Sequence, residues 1–119
     1  MAFSQGPLTL TQALALLATA TIGSLVHTRD ALPTAHPVAF SLAAPRVLIH
    51  LPAEGSGFAR VPGSVVAFAL HHLSAPDTLD WSVVVTGVAE AQGGDRLWLD
   101  LAQSLLLGSP DPQRAHALS

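Results

Sequence analysis

Four histidines, His36, His50, His71 and His72, are the side chains of this chain best suited to chemistry near neutral pH. A neutral imidazole can accept a proton as a general base or bind a metal ion. All four fall on predicted strands or at strand ends, and a curled sheet can bring some of them together. No carboxylate or cysteine stands at ligand spacing beside them, so the pattern predicts no metal centre. A lone histidine at a strand end is more often structural than reactive. His50 is the candidate catalytic residue, because it shares a strand face with Arg46 and immediately precedes a flexible loop. Asp77 and Asp80 read as turn residues, and Glu90 as an exposed carboxylate on a polar face.

Other chemistries are excluded by what is missing. The chain has no cysteine, which removes disulfides, zinc–thiolate sites and thiol nucleophiles. No glycine-rich phosphate loop, hydrolase elbow or serine–histidine–acid pattern occurs. There is no lysine, the five arginines (Arg29, Arg46, Arg60, Arg96, Arg114) are scattered, and the net charge is −3. A nucleic-acid surface needs a basic patch, so none is expected. With 119 residues the chain makes one domain, its core at 8–107 and a flexible tail at 108–119. Half of the residues are hydrophobic and only 11% are charged. A small monomer needs more polar cover than that, so the composition predicts a homodimer. The first 28 residues carry no charged side chain, yet they lack the basic start of a signal peptide. A membrane span needs ~20 mostly apolar residues, and Thr19, Thr21, Gly23 and Ser24 interrupt this stretch. The expectation is a cytoplasmic protein with no membrane partner.

The elements that must position these groups begin with a helix over 8–20. Thr9 or Thr11 can cap it, and Leu10, Leu14 and Leu17 form one face widened by Ala13 and Leu16. Strands are predicted over 21–28, 34–42 and 46–51, spaced closely enough for an antiparallel meander. Pro37 cannot donate to a ladder and so belongs at an edge or a bulge. A loop over 52–57 and a helical turn over 58–61 follow, ending at Pro62-Gly63. The apolar run 65–70 predicts the most buried strand, ending at His71-His72. The long strand 80–92 organises the rest. Trp81, Val83, Val85, Gly87, Ala89 and Ala91 form its dry face, while Ser82, Val84, Thr86, Val88, Glu90 and Gln92 form a mixed one. Gly87, with no side chain to pack, predicts a bulge or the bend that closes a barrel. A second helix is predicted over 97–107, on Leu97, Leu101 and Leu105.

The segment Trp81-Ser82-Val83-Val84-Val85-Thr86-Gly87-Val88-Ala89-Glu90 resembles the "W-S-V-x-V-x-G-x-A-E" strand of the pyridoxamine 5'-phosphate oxidase-like family of flavin-binding split barrels. Thr19-Ala20-Thr21-Ile22-Gly23-Ser24-Leu25 resembles that family's "A-T-x-x-G-x-L". Pro33 with His36-Pro37-Val38 is similar to its "G-x-P-x-x-x-P-V". The likeness spans about residues 8 to 92. It implies a mainly β fold: a dimeric split β-barrel of antiparallel strands with flanking N-terminal and C-terminal helices, lacking an evident last strand.

The resemblance also implies a flavin phosphate held by a "T-x-x-G-S-K" pattern after the third strand, since a phosphate needs donors and a cation. Here Leu51 stands at the threonine, Gly55-Ser56 keep the small-residue turn after one insertion, and Gly57 stands at the lysine. Arg60, one turn later, or Arg46 is the substitute cation. The start of the Trp81 strand is implied to approach the cofactor bound mainly by the other subunit, although an aromatic there is by itself a core residue. The implied cofactor-binding residues are therefore His50, Gly55, Ser56, Arg60, Trp81 and Ser82. The expected function is an FMN- or deazaflavin-dependent oxidoreductase acting on a small molecule. The alternative is a cofactor-free split barrel whose interfacial cleft binds or transforms an apolar small molecule, and the missing threonine and lysine favour it.

Overall fold

The computed structural model describes residues 6–29, 31–51, 61–75, 78–92 and 95–109. The expected loop over 52–57, with Gly55 and Ser56, lies outside them, as do Arg60, the pair Gly93-Gly94 and the tail from 110 onward. In chain order the elements are β1 Gly6–Pro7, α1 Leu10–Leu17, β2 Ile22–Arg29, β3 Leu32–Ala43, β4 Arg46–His50, β5 Val65–Ala75, β6 Thr78–Val88, β7 Glu90–Ala91, β8 Arg96–Asp100 and β9 Leu105–Ser109. A 3-10 turn, Leu101–Gln103, joins the last two strands.

Helix α1 starts at Thr9, whose hydroxyl accepts from the Gln12 amide while the Gln12 side chain accepts from the Thr9 amide. This reciprocal cap satisfies two donors that the first turn leaves unpaired. Ala13, Leu16 and Leu17 are buried, with Leu10 and Leu14 packed on the edge of the core.

All strand pairs are antiparallel, and the sheet order is β1-β9-β6-β5-β2-β3-β4-β8-β7. The meander β2–β3–β4 is the expected one. Within β3, only Ala39 to Ala43 pair with β4, so Pro37 stands where β3 has β2 alone as a described partner. The ring closes through the long strand itself. β6 pairs with β5 and β9, and a single residue later, at Ala89, the chain continues as β7 and pairs with β8. Six strand positions around that ring enclose a core centred on Phe68, Leu25, Ile49, Val83, Val85, Leu97 and Leu99.

Four expectations are corrected. Residues 97–107 are not a helix: Leu97 and Leu99 are buried on one face of β8, paired with Ile49 and Val47 of β4. Both the helical spacing (97, 101, 105) and the strand spacing (97, 99, 101) are apolar in this segment. The open edge of β4 decides for the strand, because its backbone groups need partners. The expected lack of a last strand is corrected as well: β9 supplies it, pairing Leu105 to Ser109 with β6.

Gly87 is not a bulge either. It pairs in regular register with Val66. The bend comes two residues later, where the Ala89 carbonyl accepts from the Gly63 amide (2.7 Å) and the Ala89 amide donates to the Ser64 carbonyl (3.0 Å). Two residues thus oppose one, with Gly63 at φ +85°, the arrangement of a bulge whose first residue is glycine.

The run 65–70 is not wholly buried. Val66, Phe68 and Leu70 face the core, while Val65 is exposed, and the strand runs on through His71 and His72 to Ala75.

Candidate functional site

His50 is the last residue of β4 and half-buried on the outer face of the barrel, with Arg46 and Leu48. The backbone pairing of β4 with β8 fixes how near its neighbours come. Leu51 donates to the Asp95 carbonyl (2.7 Å) and Leu101 to the Pro45 carbonyl (2.9 Å). Odd-numbered positions of β4 are therefore the hydrogen-bonded pairs. His50–Arg96, Leu48–Trp98 and Arg46–Asp100 are the non-hydrogen-bonded pairs, in which side chains approach most closely. Across β3, the Ser41 hydroxyl lies 3.4 Å from His50 Nε2. The Arg46 guanidinium sits 5.3 Å from the ring centroid of half-buried Trp98, within cation–π range. On the far side of β8, Glu90 of β7 is opposite Trp98.

The outer face of β3, β4 and β8 therefore gathers an imidazole, two guanidinium groups, a hydroxyl and an indole. Sequence reasoning places His50 and Arg46 there and misses Arg96, just before the expected helix over 97–107, and Trp98, within it. The strict alternation Arg96-Leu97-Trp98-Leu99-Asp100 was the available signal. Asp100 has a second task, since its carboxylate accepts from the Ala102 amide (3.0 Å) and caps the 3-10 turn.

Trp81 and Ser82 point to opposite sides of β6. Trp81 is 3% exposed on the core face, with His72 stacked on it at 5.5 Å between centroids and 6° between planes. Ser82 is on the outer side, fully buried, and its hydroxyl has no hydrogen-bond partner among the described residues. Such an orphan is rare enough to need a cause. The other histidines stand apart from His50. His27, which the sequence reading did not single out, is buried and stacks on His36 at 5.3 Å and 15°. His71 is exposed on β5, opposite Ser82. A cleft of about 380 Å³ opens where β9 diverges from β8, lined by Val88, Glu90, Asp100, Gln103 and Ser104. None of the expected site residues that are described lines it.

A barrel of this topology, with its last strand splayed onto β6, is a split barrel. The family model for pyridoxamine 5'-phosphate oxidase matches residues 9–117, and the chain belongs to that family. Among solved structures, the FAD binding protein from Mycobacterium smegmatis is similar, with 22% identity, a TM-score of 0.67, and 88% of this chain and 98% of that one covered. A candidate pyridoxamine 5'-phosphate oxidase from Corynebacterium glutamicum has 18% identity and a TM-score of 0.65, over 92% and 96% of the two chains. A heme binding protein from Mycobacterium smegmatis has 18% identity and a TM-score of 0.59, over 87% of this chain and 51% of that one. The search of curated proteins finds no match. Among the described residues, no helix is long and apolar enough to cross a membrane.

Proposed function

We propose that this chain is a flavin-binding, homodimeric split barrel that works as an FMN- or deazaflavin-dependent oxidoreductase on a small molecule. The observation that carries the reading is the pairing of His50 with Arg96. Two cationic or cationisable side chains directly opposed on one sheet face repel when both are charged, and a phosphate between them relieves that repulsion. The residues fit a flavin phosphate to that extent: Arg96 supplies the charge, while His50 and the Ser41 hydroxyl supply donors. Gly55, Ser56 and Arg60, in the segment that continues from β4, would complete the cradle. The resemblance to a protein named for FAD binding supports the same class of ligand.

Flavins supply hydride chemistry, and the protein supplies binding, orientation and a dry wall. Here His50 would hold or pass a proton at an imidazole nitrogen, and Arg96 would fix the phosphate end.

Dimerisation is supported by the outer face of β2, β5, β6 and β9. Ile22, Val65, Val88 and Leu105 there are 55%, 64%, 53% and 57% exposed, and no described side chain on that face carries a fixed charge. Four strands about 4.8 Å apart and about seven residues long give roughly 450 Å² per copy before side-chain relief. A pair then buries on the order of 1,000 Å², the lower bound of a specific interface. A face without charge has nothing with which to select a charged partner, so a second copy of the same face is its occupant.

Leu51 in place of the family's threonine favours the cofactor-free reading, and one experiment separates the two. The flavin reading predicts absorbance near ~450 nm, or bound FMN, FAD or deazaflavin that survives desalting. Colourless protein that retains none of the three leaves the cofactor-free barrel.

A further inference from the structure

The outer face of β2, β5, β6 and β9 contains a single ionisable side chain among those described, the exposed His71 of β5. Its surroundings follow from the register. The Ala89–Ser64 hydrogen bond sets the alternation of the β5–β6 ladder, so Trp81–His72 and Val83–Leu70 are hydrogen-bonded pairs. His71–Ser82 is then a non-hydrogen-bonded pair, with the two side chains at closest approach. On the other side, the β2 register, with Ser24 opposite Ala69, runs on towards Ile22 beside His71. Along β5 the outward neighbours are Ala69 and Leu73. The carboxylate closest in sequence on β6 is Asp80, two residues before Ser82.

We propose that His71 is the protonation gate of the dimer: two copies pair with both His71 imidazoles neutral and separate when the imidazoles take up protons. This rests on the paired-face reading above. Two physical costs act in the same direction. An imidazolium pressed into an apolar interface loses its hydration without gaining a counter-charge from any described side chain of the face, because the partner brings the same face and its own His71. An imidazolium also has no acceptor, whereas a neutral ring can accept the hydrogen that the buried Ser82 hydroxyl has nowhere else to place. The sign follows: the dimer holds fewer protons than two monomers, so association is strongest at high pH and weakens as pH falls.

Sedimentation velocity of the full chain between pH 8 and pH 5, at constant ionic strength, tests this. Two protons taken up per dimer dissociated give a dissociation constant that rises towards ~100-fold per pH unit at the acid end. His71→Gln removes that dependence, leaving changes under about threefold, while His72→Gln and Asp80→Asn retain it. A wild-type constant that shifts less than about threefold over the interval overturns the gate and leaves the dimer standing. So does a His71→Gln protein as pH-sensitive as the wild type. Should the glutamine variant fail to pair, His71→Phe must pair at both ends of the range, and an acid-labile phenylalanine dimer overturns the gate. A wild type that is monomeric even at pH 8 overturns the paired face and the gate with it.

Discussion

Ser104 occupies the space that a β-carbon on Gly87 would need, and Leu99 stands behind it. The contact joins the long strand to the turn between β8 and β9, at the place where the sheet divides. Ser104 cannot simply swing away, because its hydroxyl donates to the Asp100 carbonyl at 2.7 Å. The long strand thus needs glycine at 87 for room, while the bend is made by Gly63 and Ala89.

Gly87→Ala should therefore destabilise the fold by ~1–3 kcal/mol, through overpacking and a displaced hydrogen bond. Ser104→Gly in the same chain should return part of the loss. Urea unfolding of both single variants and the double variant measures the coupling. Additive losses would mean that the two residues do not press on one another.

Gly63→Ala should cost ~1–2 kcal/mol for a different reason, since nothing crowds residue 63 and the strain lies in its positive φ. Gly63→Asn should cost less, because asparagine tolerates that conformation better. Thermal unfolding that ranks asparagine below alanine would contradict this.

Trp81→Ala should lower folding stability by ~3–5 kcal/mol, as for other large aromatics removed from a core. His72→Ala, which uncovers the indole without removing it, should cost ~0.5–1.5 kcal/mol. Trp81 points inward, so its removal should act on folding before it acts on the outer face. Dimer loss at full folding stability would be the wrong order.

Legibility followed from how local each decision is. The Thr9 cap and the meander β2–β3–β4 could be read because a capping box and alternation between turns are written in neighbouring residues. The core face of β6 was equally readable from Trp81, Val83 and Val85. The segment 96–109 was not, because its leucines satisfy both periods and the choice belongs to the free edges of β4 and β6. The same ambiguity hid half of the site. Arg96 and Trp98 meet His50 and Arg46 only once β8 is known to be a strand, and the orphan state of Ser82 is visible only after its neighbours are in place.

The phosphate assignment gives the last prediction. Arg96→Gln removes the fixed charge opposite His50 while keeping a side chain of similar reach and hydrogen-bonding capacity. FMN affinity should fall more than ~10-fold, the loss of one charge-assisted contact worth about 1.5–3 kcal/mol. Riboflavin, which has the same ring system and no phosphate, should lose less than ~3-fold, since the arginine contributes little to a neutral ligand. His50→Ala should weaken both, because its imidazole can donate to phosphate or ring. Arg60→Ala should repeat the Arg96 pattern if residue 60 completes the cradle. Fluorescence titration of each variant with both ligands decides the matter. Equal losses of FMN and riboflavin in Arg96→Gln would move the phosphate away from the β4–β8 face.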